Sequence, residues 1–306
     1  MSFSRSRRLS DMLTSSDDSG APVRSLDDLP RFSPWPARLL GHVPWVRALR
    51  TPEDTDREYG RDKWGGLLKR VSNKGNGVRL TDADRWAQGG DERTLMWIAD
   101  SLVEVTAAEA HRRYRDVIAD ELSRFLPATG LVELGAGYGS ILIHLAKRPQ
   151  FVAMPVIGAD LTESGVALID RLAAAEGRQV TSGKCDLASA ELTDIEIPDG
   201  SLVYTSFALQ CIPLVGESFV GALCARRPAV VVHFEPAYEH CDQKSLLGLL
   251  RRRYIQVNDY NTNLITLLHE QQGRGSIEIL EERPAVVGPN PLLPASVIVW
   301  RPSPTS

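Results

Sequence analysis

LVELGAGYGS, residues 131–140, is an apolar run that carries Glu133 and opens into three alternate glycines, Gly135, Gly137 and Gly139, with the helix-like stretch ILIHLAKR directly behind it. Glycines after a strand let the backbone turn tightly and approach a ligand with no Cβ in the way, while the next helix presents free N–H groups. The stretch therefore predicts a strand, a nucleotide-type cofactor loop and a helix, in that order. Two cofactor classes fit such a loop. A dinucleotide fingerprint, G-x-G-x-x-G, needs a glycine or alanine where this chain has Ser140, because its pyrophosphate rests on the helix N-terminus. Here the third glycine comes one residue early.

The segments that follow arrive in the order of an open α/β sheet. FVAMPVIGAD ends in Asp160, about 20 residues beyond the glycines, where a carboxylate can accept both ribose hydroxyls of either cofactor. After the helical stretch LTESGVALIDRLAAAEG comes RQVTSGKCDL, a weaker strand ending in Cys185 and Asp186. The turn Pro198-Asp199-Gly200 leads into SLVYTSFALQCIP, a fourth strand and the start of a helix. PAVVVHFEP is a fifth strand rich in β-branched residues and suited to burial on both faces of a parallel sheet. SIEILEERPAVV and ASVIVWRP, joined by the turn-forming GPNPLLP with no helix between them, read as a closing antiparallel hairpin.

This order, together with E-x-G-x-G-x-G at the loop, resembles the class I S-adenosylmethionine (SAM) dependent methyltransferases over roughly residues 121–302. The resemblance implies an α/β fold: a Rossmann-like seven-stranded sheet, parallel except for a closing antiparallel hairpin, with an N-terminal helical extension. It implies SAM as cofactor, held by Glu133 at the methionine amino end, by the loop residues Gly135, Ala136, Gly137 and Gly139, by Asp160 and Leu161 at the ribose, and by Cys185, Asp186 and Ser206. Asp186 would accept from the adenine amino group. Phe207 and Gln210, in the place of methyltransferase motif IV, would face the acceptor. TSFALQ is not an N-P-P-Y type motif, which argues against DNA adenine as substrate. A dinucleotide domain would instead continue with parallel strands.

Composition bounds the rest. The 306 residues suffice for one large domain and an appendage. A formal net charge of −4 argues against a general nucleic-acid surface. The four cysteines, Cys185, Cys211, Cys224 and Cys241, form no C-x-x-C pair, and there is no secretory or membrane-length apolar run. A reducing cytoplasm, a small-molecule substrate and no membrane partner are expected. Oligomeric state has no signature in the chain.

Before the cofactor domain the chain divides into a polar, mobile tail over residues 1–31 and a helical extension and lid over 32–120. The run FSPWPARLLGHVPWVRALR, rich in Pro and Trp, should pack as irregular structure, and TPEDTDREYGRDKWGGLLKRV as a helix with an acidic first turn and a break at Gly65 and Gly66. Apolar residues at three- and four-residue spacing predict a long helix over residues 91–126. Tyr59 and Trp64 are candidates for a lid over the acceptor. Residues 121–306 form the SAM-binding domain, with an insert at about 237–272.

The acceptor side is read from the residues after the fifth strand. HFEPAYEHCD brings His233, Glu235 and Glu239 to the C-terminal edge of the sheet, where ligands bind in open α/β folds, and VNDYNTN adds Asp259, Tyr260 and Asn261. His233 and Glu235 alternate with Phe234 and should face one way. Glu235 and His233 are therefore the candidate catalytic pair. The competing structural readings are a satisfied buried histidine, a carboxylate that caps the next turn, a solvated face for Arg251, Arg252 and Arg253, and backbone-bonded turn chemistry for Asp259 to Asn261.

Methyl transfer requires the acceptor lone pair to be held in line and water excluded. A cationic nitrogen acceptor, the amino or guanidino group of an amino-acid-like metabolite, needs carboxylates to bind it, and the acidic residues around Glu235 favour it. A hydroxyl acceptor with His233 as base is the alternative. No metal is expected, since H-x-E is not followed by P-C-x-x-C and no acidic pair closes the fourth strand. Outside this class stand an NAD-dependent oxidoreductase and a non-catalytic SAM-binding partner protein.

Overall fold

The computed structural model describes residues 20–45 and 50–304. The expected tail over residues 1–19 and part of the Pro- and Trp-rich run, residues 46–49, lie outside the described residues. Ten strands form one sheet: β1 (Val23–Arg24), β2 (Arg93–Ile98), β3 (Ser101–Thr106), β4 (Leu131–Leu134), β5 (Val156–Asp160), β6 (Thr181–Lys184), β7 (Leu202–Ser206), β8 (Val230–Glu235), β9 (Ile277–Gly288) and β10 (Ala295–Pro302). The longer α-helices are α1 (Gly65–Lys74), α2 (Leu80–Gln88), α3 (Ala107–Ser123), α4 (Ser140–Ala146), α5 (Glu163–Ala175), α6 (Glu217–Cys224), α7 (Leu246–Val257) and α8 (Leu264–Gly273).

The spatial order is β1-β3-β2-β9-β10-β8-β7-β4-β5-β6. Strands β4 to β8 pair in parallel, β10 enters antiparallel beside β8, and β9 closes the hairpin. This is the expected Rossmann-like sheet of seven strands with three more added at the β9 edge. After β4 the chain builds outward through β5 and β6, then returns to the other side of β4 for β7 and β8. The crevice between the C-terminal ends of β4 and β7 is thus a topological switch point, where open α/β sheets bind ligands.

Both faces of the central strands are buried, which explains their unbroken apolar character. Val203, Val231, Ile298 and Trp300 pack with Phe219 on one face, and Tyr204, Val232 and Phe234 pack with Ile118 of α3 on the other. The alternation follows from the two-residue period of a strand. Each such side chain contributes about 1.5–3 kcal/mol on burial.

The region before the glycines departs from expectation. Residues 91–126 hold a β-hairpin, β2 with β3, before the single helix α3. The turn residues Ala99 and Asp100 both have positive φ, 49° and 56°, as a two-residue hairpin turn requires. Ala-Asp lacks the usual Asn-Gly signal, and the apolar spacing in this stretch suits either period. Through Trp97 and Ile98 the hairpin pairs with Gly288 and Val287 and extends the sheet. Residues 20–31 are structured rather than tail-like: β1 pairs with β3, and Leu29 is buried.

Gly65 and Gly66 begin α1 rather than breaking a helix. The preceding Asp56–Trp64 is a π-helix, and a Cβ on Gly65 would lie 2.7 Å from the Gly60 carbonyl oxygen, so the close turn needs glycine there. Ser164 Oγ donates to the Gly60 carbonyl at 2.7 Å, fastening this segment onto the start of α5. Arg251 is buried rather than on a solvated face. Its Nε donates to the Pro291 carbonyl at 3.0 Å and its guanidinium stacks over Trp97 at 4.2 Å.

Candidate active site

A cavity of about 410 Å³ opens at the switch point, floored by the loops after β4, β5, β6 and β7 and covered by the π-helix and α3. The glycine loop forms its centre. The N–H groups of Gly135 and Ala136 both donate to the Ala159 carbonyl at 2.8 Å, and that of Gly137 donates to Asp160 Oδ2 at 2.8 Å. A Cβ on Gly135 would sit 2.3 Å from Ala208 Cβ, and one on Gly137 would sit 3.0 Å from the Trp64 ring. Both have positive φ, so glycine is required by conformation and by space.

Three strand-end carboxylates line the cavity. Glu133 accepts from Tyr204 Oη at 2.9 Å; burial pushes its pKa up to about 8, against the pull of Tyr204 and the Leu142 amide. The buried carboxyl thus sits against the start of α4. Asp160 Oδ1 accepts from the Thr162 amide at 2.9 Å and hydroxyl at 2.7 Å. Burial raises its pKa, while these donors and Gly137 restrain the rise. Asp186 Oδ1 accepts from the Ala188 amide at 2.9 Å, and its Oδ2 accepts no bond among the described residues. Leu161, Cys185 and Ser206 line the cavity too. Gly139 does not. It is the N-cap of α4 with φ 80°, and a Cβ there would lie 3.0 Å from Ile169, so its place is in helix packing.

The cavity wall is also aromatic and cationic. Rings of Tyr59, Trp64 and Tyr138 follow one another at 6.0 and 5.1 Å, with Arg50 and Arg115 also in the wall. Phe207 meets Tyr114 at 5.4 Å, and the Tyr114 hydroxyl shares a 2.7 Å hydrogen bond with Ser206. Phe207 has φ 52°, a strained conformation for a bulky residue. Gln210 also lines the cavity, and its Oε1 is buried without a hydrogen-bond partner among the described residues.

The proposed catalytic pair stands elsewhere. His233 is completely buried: Nε2 accepts from the Trp300 indole N–H at 2.8 Å, and Nδ1 contacts Thr205 Oγ1 at 3.0 Å. Both nitrogens are engaged, and burial pushes its pKa down to about 3, so it is no base for an acceptor. Glu235 accepts from the amides of Ala208 at 2.9 Å, Leu209 at 3.1 Å and Gln210 at 3.2 Å. It caps the turn that follows Phe207 and does not line the cavity. Burial raises its pKa to about 7 in spite of these three donors. His233 and Glu235 do share a face, as expected, but it is the face turned into the core.

The rest of the acidic set is likewise committed. Glu239 Oε1 accepts from the Thr266 amide at 3.1 Å, and Asp259 Oδ2 accepts from the Arg50 amide at 3.0 Å. Asn261 braces the Gln210–Ile212 turn, its Nδ2 donating to the Ile212 carbonyl at 2.8 Å. Tyr260 lies behind Arg50, whose guanidinium stacks on it at 4.9 Å. None of these four lines the cavity. The basis for a cationic nitrogen acceptor is thereby removed, because none of the acidic residues around Glu235 lines the cavity.

Residues that sequence reasoning missed come mainly from α3. His111, Tyr114 and Arg115, at i, i+3 and i+4, share one face and line the cavity. Gln88, from α2, joins them. Behind it, Asp84 accepts from Tyr138 Oη at 2.9 Å, Ser140 Oγ at 2.7 Å and His144 Nε2 at 2.9 Å, which ties α2 to the glycine loop. Burial opposes ionisation of Asp84, but those donors and the Arg115 charge outweigh it and hold the carboxyl below its ordinary range. Among the described residues no cluster of three or more His, Cys, Asp or Glu is placed to hold a metal ion, and no helix is long and apolar enough to cross a membrane.

No protein-family model and no curated protein matches the chain. Solved structures do. Magnesium protoporphyrin IX methyltransferase from Synechocystis PCC 6803 with bound S-adenosylhomocysteine (SAH) aligns at a TM-score of 0.50 and 15% identity, covering 82% of this chain and 100% of that one. A putative sarcosine dimethylglycine methyltransferase from Galdieria sulphuraria aligns at 0.48 and 14%, covering 65% and 89%. At such identity the likeness is one of fold. Strand order, closing hairpin and the first of these alignments together give the chain the class I, Rossmann-like fold of the SAM-dependent methyltransferases.

Proposed function

We propose that the protein is an enzyme that transfers a methyl group from SAM to a small molecule. The observation that carries this reading is the single cavity that joins three strand-end acids around a glycine loop to an aromatic compartment. Glu133 would hold the methionine ammonium, Asp160 the ribose hydroxyls and the free Oδ2 of Asp186 the adenine amino group. The methyltransferase solved with SAH supports the same cofactor. When bound, SAM supplies a sulfonium-activated methyl group.

The chain's own residues then have two tasks. Trp64, Tyr59 and Tyr138 exclude water above the loop, and Phe207 with Tyr114 sets the acceptor's plane, since placement supplies most of the rate in such a transfer. The compartment suits a flat, largely apolar acceptor with an oxygen nucleophile, and the guanidinium groups of Arg50 and Arg115 disfavour a cation. Cys185, Cys211, Cys224 and Cys241 are unpaired thiols, which suits a reducing cytoplasm. Nucleic acid and membrane have no part in this reading. Incubation of the protein with methyl-labelled SAM and a metabolite extract, followed by mass spectrometry, tests it: a labelled small molecule is expected, and label confined to SAM and its breakdown products contradicts it.

A further inference from the structure

We infer that His111 and Arg115 form the acceptor subsite, with His111 taking the proton of an acceptor hydroxyl and Arg115 binding a carboxylate on the same molecule. This rests on the methyltransferase reading above and adds to it a substrate class, the hydroxylated aromatic acids.

The geometry is that of one helix face. His111 and Arg115 lie one turn apart on α3, so their side chains emerge side by side, about 5–6 Å apart at Cβ, and both line the cavity. His111 is the cavity's one histidine among the described residues, and neither of its ring nitrogens bonds another described residue. His144, His233, His240 and His269 by contrast are all hydrogen-bonded. Arg115 reaches Asp84 only at 3.5 Å and the Gln88 side-chain oxygen only at 3.4 Å, and its Nε and second amino group have no partner among the described residues. Asp84 is already occupied by three closer donors, so the guanidinium keeps a free edge suited to a carboxylate. Phe207, Trp64 and Tyr138 line the same cavity and offer aromatic faces to the ring of the acceptor.

The step balances. The acceptor O–H bond breaks with its proton passing to the imidazole, the O–CH3 bond forms as the donor's S–CH3 bond breaks, SAH leaves as a neutral thioether, and the imidazolium returns the proton to solvent.

Charge couples the two residues. The groups that face His111 are Arg115 on its own helix and Asp84 from α2. Burial pushes the imidazole pKa down to about 4, Arg115 lowers it further, and Asp84 opposes them. A carboxylate on Arg115 offsets that cation and lifts His111 back toward the range of an effective base. The acid thus switches on its own base, which an uncharged phenol cannot do.

NMR titration of the His111 imidazole in SAH-saturated full-length protein tests this, with the resonance assigned by its loss in His111→Gln. Addition of 4-hydroxybenzoate is expected to raise the His111 pKa by about 1 unit or more, phenol to leave it in place, and Arg115→Gln to abolish the response and weaken 4-hydroxybenzoate roughly ten-fold with SAH affinity retained. An unmoved His111, an equal response to phenol, or failure of 4-hydroxybenzoate to bind overturns the subsite while SAH still binds. Failure of SAH itself to bind overturns the methyltransferase reading with it.

Discussion

The indole N–H of Trp300 donates to Nε2 of His233 at 2.8 Å, deep in the sheet where β10 runs beside β8. A histidine so held is neutral in the folded protein and protonated below its ordinary pKa when unfolded. Between pH 6.5 and about 3 the unfolded chain binds the extra proton, so stability falls as the pH drops through that window. The contribution is on the order of 5 kcal/mol at most. Thermal melts from pH 4 to 7 should show a shallower acid loss for His233→Gln than for the parent, with SAH affinity little changed. Loss of SAH binding with an unchanged acid profile would return His233 to the site.

Glu235 organises the turn behind Phe207. Glu235→Ala leaves the Ala208, Leu209 and Gln210 amides without their acceptor, at a cost of about 1–3 kcal/mol for each that stays buried and unpaired. Glu235→Gln, which keeps one acceptor oxygen, should cost less. Thermal unfolding of both variants decides: a Glu235→Ala protein that melts like the parent yet turns over no substrate would make Glu235 a chemical group after all.

Glu133 carries the opposite sign to His233. Its folded pKa of about 8 lies above the ordinary carboxylate value near 4.5, so the folded state holds a proton that the unfolded chain has released. Stability of the ligand-free protein therefore declines as pH rises from about 4.5 through 8. Glu133→Gln, which still accepts from Tyr204, should flatten that decline and weaken SAM binding. Equal slopes for variant and parent would show that Glu133 is already ionised.

Trp64 lies against Gly137, with its ring 3.0 Å from where a Cβ would be. Gly137→Val should abolish SAH binding, because the side chain meets that ring and φ of 58° is strained for a β-branched residue. Binding of SAH should also change Trp64 emission, and Trp64→Phe should remove the change. A valine variant that binds SAH normally would mean that the cofactor does not rest on the loop at Gly137.

Much of this architecture was legible in the chain. The glycines, Asp160, Asp186 and the closing hairpin arise from local rules of turn, strand end and period, and each falls where the order of segments predicts. The hairpin of β2 and β3 was hidden because Ala99 and Asp100 occupy a turn that usually advertises itself with Asn-Gly. At β8 alternation correctly pairs His233 with Glu235 but cannot say which face is the core. That depends on Trp300, 67 residues away, and on the turn at residues 208–210. The acceptor side was illegible for the same reason: His111 and Arg115 reach the cavity only because α3 packs across the sheet, a contact with no mark in local sequence.

The central claim is that the glycine loop holds SAM rather than a dinucleotide. Isothermal titration of the ligand-free protein with SAH and, separately, with NAD addresses it most directly. One saturable site for SAH, lost in Gly137→Val and Asp160→Ala, and no heat from NAD are the predicted results. Saturable binding of NAD with none of SAH would contradict the account.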